Sequence, residues 1–330
     1  MATTGDCNLA IDRGPGPQDV GEPIRLLDPG GRLIDVRAWD DLEGMAVTKE
    51  LIERRLVLPL AEPALADRHG VVAPKAAVLF GPPGTGKTTF AKAVAGAEVE
   101  TMEPHPEAPD LVFTANAGLV NAGAIDREGT AGQFVPSHFR HPERQQETPV
   151  NSGWFADRGW RVDRLPADLD HEGAGDALPF TPEGGRTVLL SGYSFRSDAT
   201  AATELSTMLG CPVRPLELVD PRLYHLDLTF CPLDGRRAIV APLGWDAYGR
   251  KVVEALVPEP LVLTDDETLS FCANSVVVDR TIVMPSTPPR VGHQLEAWGF
   301  EVVECRVDEF LKAGGGCRCL TLALDTVLGA

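Results

Sequence analysis

A glycine-rich loop between a short apolar run and a helix is the feature that most constrains the fold of this chain. Residues 81–88, GPPGTGKT, fit the pattern G-x-x-x-x-G-K-[ST]. The preceding run KAAVLF (75–80) predicts a buried strand, and the following KTTFAKAVAG predicts a helix that ends at Gly96. A strand, a phosphate-binding loop and a helix in this order predict an α/β protein.

The residues of this loop are those that a nucleotide triphosphate site needs. Gly81, Gly84 and Gly86 let backbone N–H groups converge on phosphate oxygens at a helix N-terminus. Lys87 would reach the β- and γ-phosphates, and Thr88 would ligate Mg²⁺. Mg-ATP is therefore the ligand expected at this segment.

Residues 39–96 resemble the opening of an AAA-type ATPase domain. The resemblance rests on WDDLEGM, KELIERRLVLPL and APKAAVLFGPPGTGKTTFAKAVAG, and it stops at the end of the loop's helix. Hydrolysis also needs an acidic residue at the end of an apolar strand. LVLTDDE (261–267) matches that requirement only superficially and lies far downstream. We therefore expect an AAA-type fragment that binds nucleotide without hydrolysing it, preceded by a weakly ordered linker over residues 1–38.

The charge of the chain excludes several classes of partner. The formal net charge is −18, and residues 1–96 carry only −2 of it, so the acidic surplus lies in residues 97–330. Such a chain repels nucleic acid and anionic membranes. No apolar run approaches the roughly 18 residues of a membrane span, and the N-terminus lacks the pattern of a secretion signal. We expect a cytoplasmic protein whose seven cysteines are free thiols.

Beyond residue 96 the sequence predicts alternating strands and helices. Strands are expected at DLVFTAN, GRTVLLSG, YHLDLTF, RRAIVAP, NSVVVDRTIVMP, FEVVECRV and CLTLAL. Helices are expected over 197–209 and 291–298, and Asp265 and Asp266 indicate a helix start. The fold class predicted for residues 97–330 is α/β.

Residues 97–330 resemble the superfamily of dimethylarginine dimethylaminohydrolases, arginine deiminases and amidinotransferases. The matching segments are PDLVFTANAG, FRHPERQ, HEGAGDAL, SGYSFRSD, YHLDLTFCPL, ANSVVV and AGGGCRCLTLAL, in the family's order. The resemblance implies an α/β propeller (pentein-like) around a polar pocket. The family's own first module is absent here, and the AAA-type strand and helix stand in its place. We therefore hypothesise that this pair packs as a surrogate first module.

The resemblance also implies a catalytic set. Cys319 would be the nucleophile, because a guanidinium carbon is a poor electrophile and requires a thiolate. His225 would protonate the leaving group and then activate water, while Glu172 and Asp227 would hold the guanidinium. Cys317 is expected on the same strand face as Cys319. No cofactor is implied for the hydrolase.

The resemblance further implies substrate-binding residues. Arg144 and Arg196 match positions that clamp the α-carboxylate of the substrate. Asn116 stands where deiminases carry aspartate, and Asp110 could supply the missing charge. Asparagine at this position is reminiscent of enzymes that hydrolyse the guanidino carbon twice. The product is thus left open between a citrulline type and an ornithine type.

Two functions compete on the sequence alone. The first is a cysteine hydrolase acting on the small-molecule guanidine of arginine or methylated arginine. The second is an ATP-binding protein of AAA ancestry whose remaining domain is an inactive scaffold. The sequence does not decide the oligomeric state.

Overall fold

The computed structural model describes residues 100–105, 107–124 and 132–329. Residues from Pro104 onward form one compact unit, and the description that follows concerns that unit. Gly81, Gly84, Gly86, Lys87 and Thr88 lie outside the described residues, as do the linker and the AAA-type fragment up to Gly96. The predicted phosphate loop, linker and AAA-type fragment therefore remain predictions.

Twelve strands of the described residues form four sheets of three strands each. In every sheet the first strand pairs antiparallel with the second, and the second pairs parallel with the third. The strands are β1 (Gly118–Asn121), β2 (Gln133–Pro136), β3 (Arg161–Val162), β4 (Ala177–Phe180), β5 (Val188–Tyr193), β6 (Val213–Glu217), β7 (Phe230–Pro232), β8 (Arg237–Val240), β9 (Glu259–Val262), β10 (Val276–Val278), β11 (Thr281–Met284) and β12 (Glu301–Glu304).

A helical segment joins the second and third strands of each sheet, as a parallel crossover requires. The α-helices are α1 (Pro142–Gln145), α2 (Glu147–Ala156), α3 (Gly173–Asp176), α4 (Ala201–Leu209), α5 (Ala247–Leu256), α6 (Asp265–Leu269), α7 (Pro289–Ala297) and α8 (Asp308–Lys312). Short 3-10 helices cover Pro109–Val112, Thr114–Ala117, Leu226–Leu228 and Pro242–Gly244. The described chain is therefore one strand–strand–helix–strand module repeated four times.

Local sequence explains where several of these helices begin. Asp246 accepts a hydrogen bond from the backbone of Gly249 and starts α5. Thr264 and Glu267 form a capping box at α6, which confirms the helix start that Asp265 and Asp266 predicted. Gly210 adopts a left-handed conformation (φ 65°) and ends α4.

Apolar side chains join neighbouring modules. One cluster contains Ile239 and Leu261 from the third sheet with Ile282 and Val302 from the fourth. Leu295 of α7 packs into the same cluster and is fully buried. Burying a side chain of this size contributes roughly 1.5–3 kcal/mol to folding. Such packing fixes the loops at the ends of the strands, where the polar residues lie.

The predicted α/β class is confirmed, but three predicted strands are wrong in whole or in part. DLVFTAN forms two 3-10 turns before β1, and YHLDLTF forms a 3-10 turn that only then enters β7. CLTLAL forms a turn and an irregular segment. Each of these stretches buries a polar or thiol side chain at a turn, namely Asn116, Asp227 and Cys319 respectively. Among the described residues, no helix is long and apolar enough to cross a bilayer.

Candidate active site

The four modules contribute polar side chains from equivalent places, namely the segments that enter their first strands. Asn116 precedes β1, Glu172 precedes β4, Asp227 precedes β7 and Asn274 precedes β10. All four are buried, with at most 3 % of their surface exposed. Buried polar groups are costly unless they are paired, so their coincidence at one end of each module indicates a site.

Cys319 lies in the turn that follows α8 and faces two of these residues. Its Sγ lies 3.2 Å from Nδ2 of Asn274 and 3.3 Å from Oδ2 of Asp227. Oδ1 of Asn274 accepts the backbone N–H of Cys319 at 3.3 Å, which holds the turn in place. The nearby Cys317 faces elsewhere, with its Sγ 3.6 Å from the carbonyl oxygen of Cys305. The expectation that Cys317 shares a strand face with Cys319 is wrong, because this segment is a turn.

His225 belongs to the same acidic group. Its Nε2 lies 2.8 Å from Oε2 of Glu172, and Nη1 of Arg196 donates to that same oxygen at 3.2 Å. The Arg196 guanidinium also lies over the ring of Tyr224, 4.7 Å from the centroid. His225 is buried, whereas the Arg196 side chain is 22 % exposed and reaches toward solvent.

Electrostatics keep the imidazole and Glu172 charged. Burial disfavours the cation of His225, but Asp176, Glu172 and Asp227 outweigh it and raise the pKa of His225. Burial likewise opposes the Glu172 carboxylate, but His225, Arg196 and Arg144 lower the pKa of Glu172. These shifts favour an imidazolium beside a carboxylate.

The Cys319 thiol, by contrast, is kept in its uncharged form. Burial and the neighbouring Asp227 raise the pKa of Cys319 well above its ordinary value. Burial also raises the pKa of Asp227, although His225 opposes the shift. Without a bound cation, Cys319 is thus a protonated thiol that donates to a carboxylate.

Two carboxylate oxygens of this group have no hydrogen-bond partner within the described part of the chain. They are Oε1 of Glu172 and Oδ1 of Asp227, and both are fully buried. A buried carboxylate oxygen without a donor is unfavourable. The site therefore presents two vacant acceptors beside a thiol and an imidazole, which suits a planar cation with several N–H donors.

Arg144 lies behind this group and is engaged by other protein atoms. Its Nε and Nη2 donate to the two oxygens of Glu147 at 2.7 and 2.9 Å. Nη1 donates to Oδ1 of Asn116 at 3.1 Å, and Nη2 also reaches the carbonyl of Asp110 at 3.3 Å. The side chain of Asp110 is exposed, so Asp110 contacts this network through its backbone.

Asn116 is oriented by partners on both sides of its amide. Nδ2 donates to the carbonyl oxygen of Glu172 at 3.1 Å, while Oδ1 accepts from Arg144. A Cβ atom at Gly175 would overlap Nδ2 of Asn116, so the chain needs glycine there for the close approach.

Several residues of the site are missing from the sequence-based prediction. Asn274 lies within the ANSVVV segment, but nothing in the neighbouring sequence predicts its contact with Sγ of Cys319. Asp176 accepts from Oγ of Ser197 and from the backbone of Leu226, and burial raises its pKa to about 7. Arg140 donates to the carbonyls of Ser194 and Phe195, next to Arg196. No group of three or more metal-ligating side chains occurs within the described ranges.

One sequence profile and many relatives match the chain. Residues 77–121 match the profile of the ATPase family associated with various cellular activities (AAA). The bifunctional arginine dihydrolase/ornithine cyclodeaminase ArgZ of Synechocystis is 40% identical over 68% of this chain, which spans 30% of that protein. The dimethylarginine dimethylaminohydrolase of Mycobacterium tuberculosis is 35% identical over 69% of this chain and 70% of its own length.

Solved structures match the same portion of the chain. One is the N-terminal domain of an Asn-to-Ser variant of ArgZ covalently bound to a reaction intermediate. It is 38% identical, with a TM-score of 0.62 over 68% of this chain and 79% of the crystallised domain.

Proposed function

Because the chain belongs to the superfamily of arginine dihydrolases and dimethylarginine dimethylaminohydrolases, we propose that it hydrolyses the guanidino carbon of arginine through a cysteine. The observation that carries this proposal is the pair of vacant buried oxygens on Glu172 and Asp227 next to the Cys319 thiol. Guanidinium N–H groups would satisfy both oxygens. Arg196, whose Nε and Nη2 have no partner within the described residues, would bind the α-carboxylate.

Binding of the substrate would also activate the nucleophile. The guanidinium brings a positive charge next to a thiol whose pKa is raised by burial and by Asp227. A neighbouring cation lowers a thiol pKa. Asp227, to which the thiol already donates, is placed to take its proton.

The chemistry then follows from the positions of sulfur and imidazole. Sulfur attacks the guanidino carbon, His225 protonates the leaving nitrogen, and ammonia departs with the C–S bond intact. A water that gives its proton to His225 adds to the carbon. Breaking the C–S bond at this stage releases citrulline. Breaking the second C–N bond releases another ammonia and leaves a carbamoyl group on sulfur. A second water frees that group as a carbamate, which loses carbon dioxide to give ornithine.

We favour the ornithine branch, in which arginine and two water molecules give ornithine, two ammonia molecules and carbon dioxide. Asn116 in place of the aspartate of deiminases and the 40% identity to an arginine dihydrolase support it. The alternative is removal of methylamines from methylated arginine. It is supported by the match to the mycobacterial enzyme, which covers more of that relative's length.

We also propose the domain boundaries of the chain and a nucleotide site near its N-terminus. The hydrolase domain would run from residue 97 to 330 and form a propeller, preceded by an AAA-type fragment over residues 39–96. The profile match over residues 77–121 supports a phosphate loop that binds Mg-ATP, with Lys87 and Thr88 at the phosphates. A cytoplasmic location fits a substrate of arginine metabolism.

The test is a product assay on the 330-residue chain with arginine and with dimethylarginine. Mass spectrometry should find ornithine from arginine, without added nucleotide. Replacing Cys319 by serine should lower turnover by more than about a thousandfold, because no other group forms the covalent bond. Cys317→Ala is the matched control and should keep the activity, since its sulfur faces Cys305.

Other outcomes separate the competing functions. Citrulline as the final product would support a deiminase, and preference for dimethylarginine would support a dimethylargininase. ATP affinity that is lost on Lys87→Ala, with no guanidine turnover in the parent chain, would favour the ATP-binding scaffold and contradict the hydrolase.

A further inference from the structure

Arg196 lies in a short turn between β5 and α4 that is held from outside as well as from within. The φ of Ser194 is 115°, a conformation that residues with a Cβ atom rarely adopt. The backbone N–H of Ser194 donates to the carbonyl oxygen of Ser197 at 3.1 Å, which closes the turn around Arg196. An unfavourable backbone conformation persists only where surrounding contacts stabilise it. The position of Arg196 therefore depends on the residues that hold this turn.

Arg140 makes such contacts from the segment between β2 and α1. Its Nη1 donates to the carbonyl oxygens of Ser194 at 2.9 Å and of Phe195 at 3.3 Å. Its Nη2 donates to Oδ1 of Asp198 at 2.6 Å. One guanidinium thus binds the turn on both sides of Arg196, which the rigid fork of an arginine allows and a single ammonium group does not.

The same guanidinium joins this turn to the segment that carries Glu172. Nε of Arg140 donates to Oδ2 of Asp170 at 2.9 Å, so the positive charge lies between the carboxylates of Asp170 and Asp198. The backbone N–H of Asp170 donates to Oδ2 of Asp198 at 2.9 Å, and that of Asp198 donates to the carbonyl oxygen of Asp170 at 2.9 Å. Charge-assisted hydrogen bonds are the stronger ones in proteins. Asp170 stands two residues before Glu172, so Arg140 fixes the turn relative to that carboxylate.

The separation between Arg196 and Glu172 decides which guanidines fit the proposed site. Glu172 would hold the guanidinium of the substrate, and Arg196 would hold its carboxylate. In an amino acid substrate these two groups lie at opposite ends of a chain of limited length. Both ends can bind together only if the two protein residues keep the matching distance. The turn that sets this distance is anchored by Arg140.

We propose that Arg140 is a positioning residue, which holds Arg196 at the distance from Glu172 that a guanidine with an α-carboxylate requires, and thereby sets the preference of the enzyme for amino acid substrates. This inference rests on the proposed hydrolase function. Arg140 lies in the FRHPERQ segment, four residues before Arg144, but its function follows from where its donors point.

The experiment is a double-variant cycle on arginine turnover by the 330-residue chain. Arg140→Gln should raise KM for arginine at least about tenfold and leave kcat within about threefold, because it misplaces Arg196 and leaves the reacting groups alone. Arg196→Gln should raise KM at least as much. The combined variant should stay within about threefold of Arg196→Gln, because Arg140 then has no carboxylate-binding arginine to position. The same cycle applies to dimethylarginine should the parent chain prefer it.

Agmatine, which has the same guanidine and no carboxylate, separates positioning from general damage to the site. It is added as a competitor of arginine turnover, and its inhibition constant should change by less than about threefold in Arg140→Gln. Arg140→Lys keeps the charge but not the fork, so its KM for arginine should lie between those of the parent and Arg140→Gln, at least about threefold above the parent. The lysine variant keeps the test decisive should Arg140→Gln fail to fold.

Arg237→Gln is the matched control. Like Arg140, Arg237 lies near two carboxylates, with Nε 3.1 Å from Oε2 of Glu259 and Nη1 3.7 Å from Oδ2 of Asp234. It also donates to a backbone carbonyl, that of Trp298 at 3.4 Å. Arg237 is the first residue of β8 and lies outside the proposed site, so the substitution should leave kcat and KM unchanged. Thermal unfolding of every variant checks the fold.

Contrary results are distinct. An unchanged KM for arginine in Arg140→Gln, or in Arg140→Lys where only that variant folds, would overturn this inference alone. So would single effects that multiply in the combined variant, because Arg140 would then act independently of Arg196. Equal losses of arginine and agmatine binding would overturn it as well. Absence of guanidine turnover in the parent chain would overturn the proposed function and this inference with it.

Discussion

The pKa of a cysteine in this protein depends on its burial and its contacts in space more than on its neighbours in sequence. Cys319 and Cys305 have chemically identical side chains, yet the pKa of the first is raised and that of the second is lowered. Burial and Asp227 raise the pKa of Cys319, whereas the neighbouring Cys317 thiol lowers that of Cys305. Reactivity of a thiol follows its thiolate fraction, so the two should respond differently to pH.

Alkylation with iodoacetamide measures that difference in the free protein. Labelling of Cys319 should be slow at neutral pH and keep rising through about pH 9, while that of Cys305 should level off at a lower pH. Cleavage at Arg318 puts Cys319 on its own peptide, so mass spectrometry reads both rates in one sample. A Cys319 rate that levels off below pH 8 would contradict the raised pKa.

Residue identities in the site were predictable only where a motif fixes them. Cys319, His225, Glu172 and Asp227 lie in matching segments, and the structure brings all four together. The contacts of Arg144 were not predictable in this way. Spacing does not reveal that Glu147 takes up two donors of Arg144, because this depends on how α1 and α2 pack.

At the scale of secondary-structure elements, the sequence predicts regular strands better than the turns that carry the chemistry. GRTVLLSG covers all of β5 except Tyr193, and RRAIVAP contains β8. CLTLAL has the same apolar pattern as a strand, but it is a turn held by Asn274 through the backbone N–H groups of Arg318 and Cys319. Its conformation depends on a long-range contact that no local window contains.

The short helix α3 shows how an element can depend on one glycine. A Cβ at Gly175 would overlap the amide of Asn116, so Gly175→Ala should lower kcat/KM at least about tenfold by displacing that amide. Gly153→Ala in α2 is the control, because no atom lies within 4 Å of its added Cβ. It should leave activity unchanged and raise stability by up to about 1 kcal/mol. Equal activities of both variants would refute the role of this close approach.

At the scale of the whole molecule, the sequence revealed the α/β class but not the fourfold module. The four modules share strand order and pairing, while their sequences share no visible repeat. Their contacts are distant in sequence, as in the backbone pair between His138 and His171, which joins the segments that follow β2 and precede β4.

His171 makes this junction sensitive to acid. Burial lowers the pKa of His171 to about 4 in the folded chain, from an ordinary value of 6.5. The unfolded chain therefore binds the proton first, and stability present above pH 6.5 is lost as the pH falls toward 4. The loss amounts to roughly 3 kcal/mol. Burial raises the pKa of Asp176 from 3.8 to about 7, so its contribution to stability falls as the pH rises through this range, opposite to that of His171.

A substitution isolates the contribution of His171. His171→Asn keeps an acceptor for the backbone N–H of Gly173, which Nδ1 of His171 now receives at 3.2 Å. Urea unfolding between pH 4 and 7 should show a smaller acid-dependent loss of stability in the variant than in the parent. Parallel curves for the two proteins would contradict a buried, neutral histidine.

The central claim is a covalent bond between Cys319 and the guanidino carbon, and trapping that bond tests it most directly. The 330-residue protein is mixed with arginine, quenched in acid during turnover and digested. The account predicts that the peptide carrying Cys319 gains the mass of arginine less ammonia, and that the peptide ending at Arg318, with Cys317, gains nothing. Turnover of arginine without any adduct on Cys319, or with the adduct on another cysteine, would contradict it.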